Sequence, residues 1–390
     1  MRTNGNSYVL PKVALVTGAN GISGHAIIED LIRRPDTEWS KMIVTSRRPL
    51  QSYWVDPRVE FIALDFLESK ETLTQKMKII CKEVTHAYFT SYIHNNDFFK
   101  LADKNCPLFR TFLEVVDEVC PKLERVCLQT GGKHYGVQFQ ESTTLLHEDL
   151  PRYEGPGQQS IFYYQQEDDL FEMQKRRNTW HYNIIRPFGI IGFTPQFSGM
   201  NETIPIAQYF LICRELGEEP RWPGDLKAYH YTYPVSYSPS IADLTIFATT
   251  HDNCKDEAFN HVNGDVFVFK FLWQQLGKYF NVHVPSYSMV DEHKSQLDMG
   301  EWAMDKAPVW ERIVAKYGGS ADTFQIDAFK LMGWFLNASG DIRGPFVPSM
   351  NKARKAGWSR VDDSYSTWTR ALQSYENAGF LPKHRQFHGN

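Results

Sequence analysis

The amino-acid sequence predicts an α/β protein, a doubly wound and mostly parallel sheet followed by a C-terminal, mainly helical lobe. Three observations carry that reading. Short β-branched runs alternate with helical spacing through the first half of the chain. A glycine-rich turn joins the first run to the first helical stretch, and after residue 187 proline, glycine and aromatic residues break the rhythm.

The elements follow in order. Lys12 to Thr17 (KVALVT) is an apolar run of buried-strand type, and Gly21 to about Arg33 has amphipathic helical spacing. Met42 to Thr45 and Val59 to Leu64 read as the second and third strands. A helical stretch over Leu67 to Cys81 leads into a fourth strand, Thr85 to Thr90. Phe98 to Val119 reads as a helix interrupted near Pro107, and Arg125 to Gln129 as the fifth strand. Ser160 to Arg176 is helical in spacing, and His181 to Arg186 is a sixth strand ending at Pro187. Farther on, helices are expected over Pro205–Leu216 and Ser240–Thr250, with a strand near Ala258–Val262.

The formal net charge is −4 and charged residues make up 23 % of the chain, so neither nucleic acid nor an anionic membrane is expected as the main partner. The six cysteines form no C-x-x-C pair, which argues for reduced thiols and against a zinc site; no metal is expected. No apolar stretch reaches the length of a membrane span, and the first twelve residues lack a signal-peptide core, so a cytoplasmic protein is expected. Aromatic residues reach 14 %. They serve either an aromatic-rich core or a deep apolar pocket.

Gly18-Ala19-Asn20-Gly21-Ile22-Ser23-Gly24 lies between the first strand and the first helix. Glycine at such a turn lets backbone approach a pyrophosphate, and the helix N-terminus behind it offers free N–H groups. This strand–turn–helix context predicts a Rossmann-type dinucleotide site built from Gly18, Asn20, Gly21, Ile22 and Gly24. The expected organisation is therefore an NADP-binding Rossmann domain over 1–187, with 188–390 a substrate-binding lobe packed on the sheet and able to return strands to it. The second strand ends in Ser46-Arg47-Arg48, where an NAD enzyme usually carries a carboxylate. Two guanidinium groups suit a 2′-phosphate, so NADPH is the expected cofactor. Asp65, Thr90 and Pro187, at or after strand ends, complete the expected cofactor contacts, although Asp65 suits an ordinary turn equally well.

The usual Tyr-x-x-x-Lys pair of short-chain dehydrogenases is missing: Phe162-Tyr163-Tyr164 is followed by Glu167 and Asp168. A lysine stands instead directly after the fifth strand, in Thr130-Gly131-Gly132-Lys133-His134-Tyr135. These stretches resemble the progesterone 5β-reductase/iridoid synthase-like family, a divergent branch of the extended short-chain dehydrogenases. The likeness continues in order through Arg186-Pro187, Gly192-Phe193, Asn263-Gly264-Asp265-Val266-Phe267, Pro308-Val309-Trp310 and Ser349-Met350-Asn351-Lys352. It implies that Tyr163 and Lys133 are catalytic, with Tyr163 also beside the cofactor, and that His134 and Tyr164 are packing or positioning groups.

The chain departs from the family at Gly132, where many relatives carry a bulky or charged residue, and in 188–237, the expected pocket wall. The resemblance implies NADPH-dependent reduction of the C=C bond of an enone or enal, a small apolar carbonyl substrate, and a possible homodimer. Reduction of the carbonyl itself, isomerisation or epimerisation on the same scaffold, and a non-catalytic NADP(H) sensor remain open alternatives.

Overall fold

Alternation within the first strand decides how the sheet is covered. In β1 (Lys12–Thr17), Val13 and Leu15 join the core on one face while Ala14 and Val16 join the core on the other. Both faces are covered, so the strand reads as a continuous apolar run rather than a striped one. The computed structural model describes residues 10–95, 97–139, 145–196, 201–285, 297–337 and 346–387. The N-terminal residues 1–9, part of the polar stretch in which a signal-peptide core was sought, lie outside that set.

The strands are β1, β2 (Trp39–Ser46), β3 (Val59–Ala63), β4 (His86–Phe89), β5 (Arg125–Gln129), β6 (Leu145–Leu146), β7 (His181–Pro187), β8 (Gly189–Ile191), β9 (Val235–Tyr237), β10 (Glu257–His261) and β11 (Val347–Pro348). Among the described residues seven of them form one parallel sheet, in the order β10-β7-β5-β4-β1-β2-β3. The remaining four pair in twos, β6 with β11 and β8 with β9. Strand order reverses between β1 and β4, which opens a crevice beyond their carboxyl ends.

Helices cover both faces. On one lie α1 (Ile22–Ile32) and, from the second half of the chain, the helix Ser238–Thr250, packed together through Ile27, Leu31, Ile241 and Leu244. On the other lie α2 (Lys70–Met77), α3 (Leu101–Val119) and α4 (Tyr163–Arg177), contributing Leu73, Phe109, Phe112 and Leu170. β10 likewise comes from the second half, adding to β7 with Glu257 to His261 opposite Asn183 to Pro187.

The break expected near Pro107 does not occur: α3 runs unbroken from Leu101 to Val119 with Pro107 inside it. An interior proline costs about 3 kcal/mol. Burial of Leu108, Phe109, Phe112, Leu113, Val115 and Val116 on the flanking turns outweighs that, each worth roughly 1.5–3 kcal/mol. The helix expected from Ser160 begins instead at Tyr163, after a single 3-10 turn over Gln158–Ser160.

The lobe is organised around α5 (Thr203–Leu216), where Thr203 to Cys213 are all buried, as an all-round apolar helix requires. Trp273 packs against Phe210 at 4.8 Å and Trp222 at 4.9 Å, so much of the aromatic excess is core. Among the described residues no helix is long and apolar enough to cross a membrane, and no group of His, Cys, Asp and Glu could hold a metal ion. All six cysteines are unpaired.

Candidate active site

A cavity of about 730 Å³ opens at the carboxyl edge of the sheet, over the β1–β4 crevice. It is lined by Gly18, Asn20, Gly21, Ile22, Ser46, Arg47, Arg48, Asp65, Thr90, Lys133, Tyr163 and Pro187. Every residue expected from the sequence to be catalytic or to touch the cofactor thus meets in one space, except Gly24. That glycine acts from behind: a Cβ on it would lie 2.3 Å from the Gly18 carbonyl oxygen, so only glycine lets the helix start this close to the turn. Gly18 itself has φ +66°, and a Cβ there would come within 2.9 Å of the Thr90 carbonyl oxygen. Thr90 holds that approach by donating from Oγ1 to the Thr17 carbonyl at 2.6 Å.

Asn20 does more than line the cavity. Its Nδ2 donates to Ser46 Oγ at 2.9 Å and to the carbonyls of Arg48 and Pro49 at 3.2 and 3.0 Å, while its Oδ1 accepts from the Gln51 N–H at 3.1 Å. This one amide ties the glycine turn to the loop that carries the arginines. Arg47 and Arg48 are exposed, and among the described residues neither guanidinium forms an ion pair. Asp65 Oδ1 accepts the Leu67 N–H at 3.0 Å, the turn role that the sequence left open, while also lining the cavity. The crowded glycine turn and the two available guanidinium groups fit a dinucleotide carrying an extra phosphate.

Tyr163 opens α4, and its hydroxyl lies against Gly131: a Cβ on Gly131 would be 3.3 Å from that oxygen and 3.2 Å from the Pro187 carbonyl. Burial, with Tyr92 nearby, pushes the Tyr163 hydroxyl well above its ordinary pKa, so it is a protonated donor at any physiological pH. Lys133 sits in the 3-10 turn Gly132–Tyr135 directly after β5 and shares the cavity with Tyr163.

A buried polar network fixes that turn. Glu167 Oε1 lies 3.2 Å from His134 Nδ1 and accepts from Arg186 Nη2 at 3.1 Å, and its Oε2 accepts from Arg152 at 3.3 Å. Burial works to raise the Glu167 carboxyl, but the close approach of the His134 ring and the charge and hydrogen bond of Arg186 hold it below its usual range. Burial lowers His134, so the imidazole stays neutral beside the carboxylate. Tyr135 donates to Asn260 Oδ1 at 2.7 Å, which reaches across to β10. Tyr164 donates to the His134 carbonyl at 2.5 Å and accepts from the Tyr153 N–H at 2.8 Å. His134 and Tyr164 are held in the support structure, and neither lines the cavity.

Sequence reasoning missed several cavity residues. Gln129, the last residue of β5, donates to Ser23 Oγ at 2.8 Å, and its strand-end position was the signal that could have found it. Phe188, Ile190 and Tyr233, within the stretch 188–237 expected as pocket wall, form an apolar wall with Trp334 and Phe346, and these last two carry no local signal. Gly132 now has a reason: a Cβ there would sit 2.5 Å from the Phe188 ring, which fills the space and stacks on Tyr135 with centroids 6.2 Å apart. Behind the wall, Glu202 is fully buried and accepts from the Tyr233 hydroxyl at 2.6 Å. Burial pushes its carboxyl up to about 7.

Comparison with known proteins agrees with this fold. The chain is 42 % identical over 388 residues to a short chain dehydrogenase of Penicillium aethiopicum, covering 96 % of this chain and 100 % of the relative. It is 29 % identical over 385 residues to a 3-oxo-Delta(4,5)-steroid 5-beta-reductase of Arabidopsis thaliana, covering 96 % and 95 % of the two. An enzyme of Bordetella bronchiseptica solved with NAD+ shares the fold at a TM-score of 0.62 and 14 % identity, over 94 % of this chain and 98 % of that one. Residues 14–342 match the PRISE-like Rossmann-fold domain, and the chain belongs to that family.

Proposed function

We propose that this oxidoreductase uses NADPH to reduce the activated C=C bond of an enone or enal. The observation that carries the reading is the meeting of Tyr163 and Lys133, far apart in sequence, in the cavity that also holds the glycine turn. A relative whose name specifies a 3-oxo-Δ(4,5) steroid, itself an enone, adds weight.

Gly18, Asn20, Gly21 and Ile22 cradle the pyrophosphate, with Gly24 letting α1 start close behind them, and Arg47 and Arg48 take the 2′-phosphate. The cofactor, when bound, supplies hydride to the β-carbon of the substrate. As that carbon gains hydride, negative charge grows on the carbonyl oxygen. The Tyr163 hydroxyl donates to that oxygen, and the Lys133 ammonium strengthens the local field. One preorganised donor of this type contributes about 3–4 kcal/mol to transition-state stabilisation. The Glu167–His134–Arg186 network keeps the Lys133 turn in place, so little reorganisation is needed as the charge develops. The apolar wall of Phe188, Ile190 and Phe346 excludes water from the developing enolate.

The test is to follow NADPH oxidation against enals, cyclic enones and saturated ketones, with product analysis. Consumption with a saturated C–C bond and an intact carbonyl supports the reading. An intact alkene beside a new alcohol, or no turnover with any member, overturns it.

A further inference from the structure

The apolar wall contains one polar pair that the reduction does not use. Tyr233 lines the cavity in the loop before β9, and a Cβ on Gly189 would lie 2.7 Å from its hydroxyl oxygen. The bareness of Gly189 is what lets this phenol fold over the β8 end of the wall. Behind it, Glu202 precedes α5 and is 2 % exposed. Its Oε1 accepts a hydrogen bond from the Tyr233 hydroxyl at 2.6 Å, and among the described residues its Oε2 has no hydrogen-bond partner.

A phenol has one proton and two acceptor lone pairs. Above about pH 7, where Glu202 is a carboxylate, the Tyr233 proton is committed to it; Tyr233 then acts towards the cavity as an acceptor, and the short bond to the carboxylate makes it a stronger one. Tyr163 and Lys133 are donors. The cavity therefore has two poles of opposite hydrogen-bonding sense. At the first, the Tyr163 hydroxyl lies against Gly131; at the second, the Tyr233 hydroxyl lies against Gly189.

We propose that Tyr233, polarised by Glu202, anchors a hydroxyl or phenol group of the substrate, so that the preferred substrates are enones or enals carrying a second, hydrogen-donating oxygen away from the carbonyl. This rests on the reductase reading for which end holds the carbonyl. Tyr233 is the contacting group and Glu202 a positioning residue that acts through it. A donor pole and an acceptor pole favour one direction of entry, because the reversed pose sets the carbonyl oxygen, which can only accept, against the acceptor oxygen of Tyr233.

Binding is measured by calorimetry on the full chain saturated with NADP+, using benzylideneacetone and its 3-hydroxy, 4-hydroxy and 4-methoxy derivatives. At least one hydroxylated member is expected to bind about tenfold tighter than the parent, the scale of one hydrogen bond to a strengthened acceptor. The methoxy member, which cannot donate, is expected to lose that gain. Tyr233→Phe keeps the ring and is expected to bring the hydroxyl-to-parent ratio within about twofold, and Glu202→Gln to lower it about threefold. Equal affinities in the unaltered protein, no binding of any of the four, or a ratio that survives Tyr233→Phe overturns the proposal. Turnover of the same compounds is read separately with NADPH. A hydroxyl preference without turnover sinks the reductase reading and leaves the anchor, whereas turnover without preference does the reverse.

Discussion

The cofactor edge and the substrate wall of the cavity are built by opposite means. The cofactor edge is local: Gly18 to Gly24 are contiguous, the arginine loop ends the next strand, and Asn20 binds the two together. The substrate wall is assembled from distant segments that meet where glycines leave room. Phe188 occupies the space over Gly132, and Tyr233 the space over Gly189. Recognition of a dinucleotide can be written into one turn. Selectivity for a particular substrate is written into pairs of residues far apart, so the two regions should respond differently to substitution.

The largest response is expected at the junction of the two regions. Tyr163→Phe removes the donor to the developing oxyanion and should lower kcat roughly 10²–10³-fold, the loss seen when one such donor is deleted. NADPH affinity should stay within about threefold, since the ring remains. A kcat that holds while affinity collapses would move Tyr163 from the substrate side of the comparison to the cofactor side.

Next comes Glu202, whose burial raises its carboxyl to about 7. The unfolded chain ionises this group near 4.5 while the folded chain keeps its proton, so the folded state binds more protons between those values and loses stability as pH rises. Above pH 7 the accumulated penalty is about 3 kcal/mol, at 1.36 kcal/mol for each pH unit of the gap. Glu202→Gln has no such penalty. Its Tm relative to the unaltered protein should therefore climb between pH 5 and pH 8, and parallel Tm curves would show that the wall holds no strained carboxyl.

On the cofactor edge, Arg47→Ala with Arg48→Ala should weaken NADPH about 30-fold, the scale of a charge-assisted pair of contacts to phosphate, and leave NADH use unchanged. Equal losses with both cofactors would mean that the loop supports the turn as a whole and does not read the phosphate.

This contrast also explains what the sequence could reveal. The seven-strand sheet was legible because apolar runs buried on both faces and the turns between them are local signals. The cavity residues Gly18, Asn20, Gly21, Ile22 and Ser46 to Arg48 were legible for the same reason, each lying at a strand or helix end, whereas Lys133 and Tyr163 were picked out through the family resemblance. Pro107 misled because local propensity was set against packing that the sequence does not display. The stretch 188–237 was expected as the pocket wall, but the parts played there by Phe188, Tyr233 and Glu202 stayed hidden because each acts through a partner: Gly132, Gly189, or the phenol in front of it. The role of Asn20 as a tie to the arginine loop was hidden too, since the glycine pattern explains the turn without it.

The smallest expected effect gives the sharpest test of paired construction. In Gly132→Ala the new methyl would start 2.5 Å from the Phe188 ring, closer than carbon atoms can sit. Stacking on Tyr135 backs that ring on one side, so it must yield into the cavity. KM for an enone substrate should rise about threefold and stability fall by about 1 kcal/mol, at the mild end of overpacking. NADPH affinity should not change, because the arginine loop and glycine turn lie outside the crowding. Phe188→Leu alone opens the wall and should also raise KM. Combined with Gly132→Ala, it should cost less than the sum of the two, because each change relieves the fault of the other. Additive effects would mean that Gly132 and Phe188 shape the wall independently.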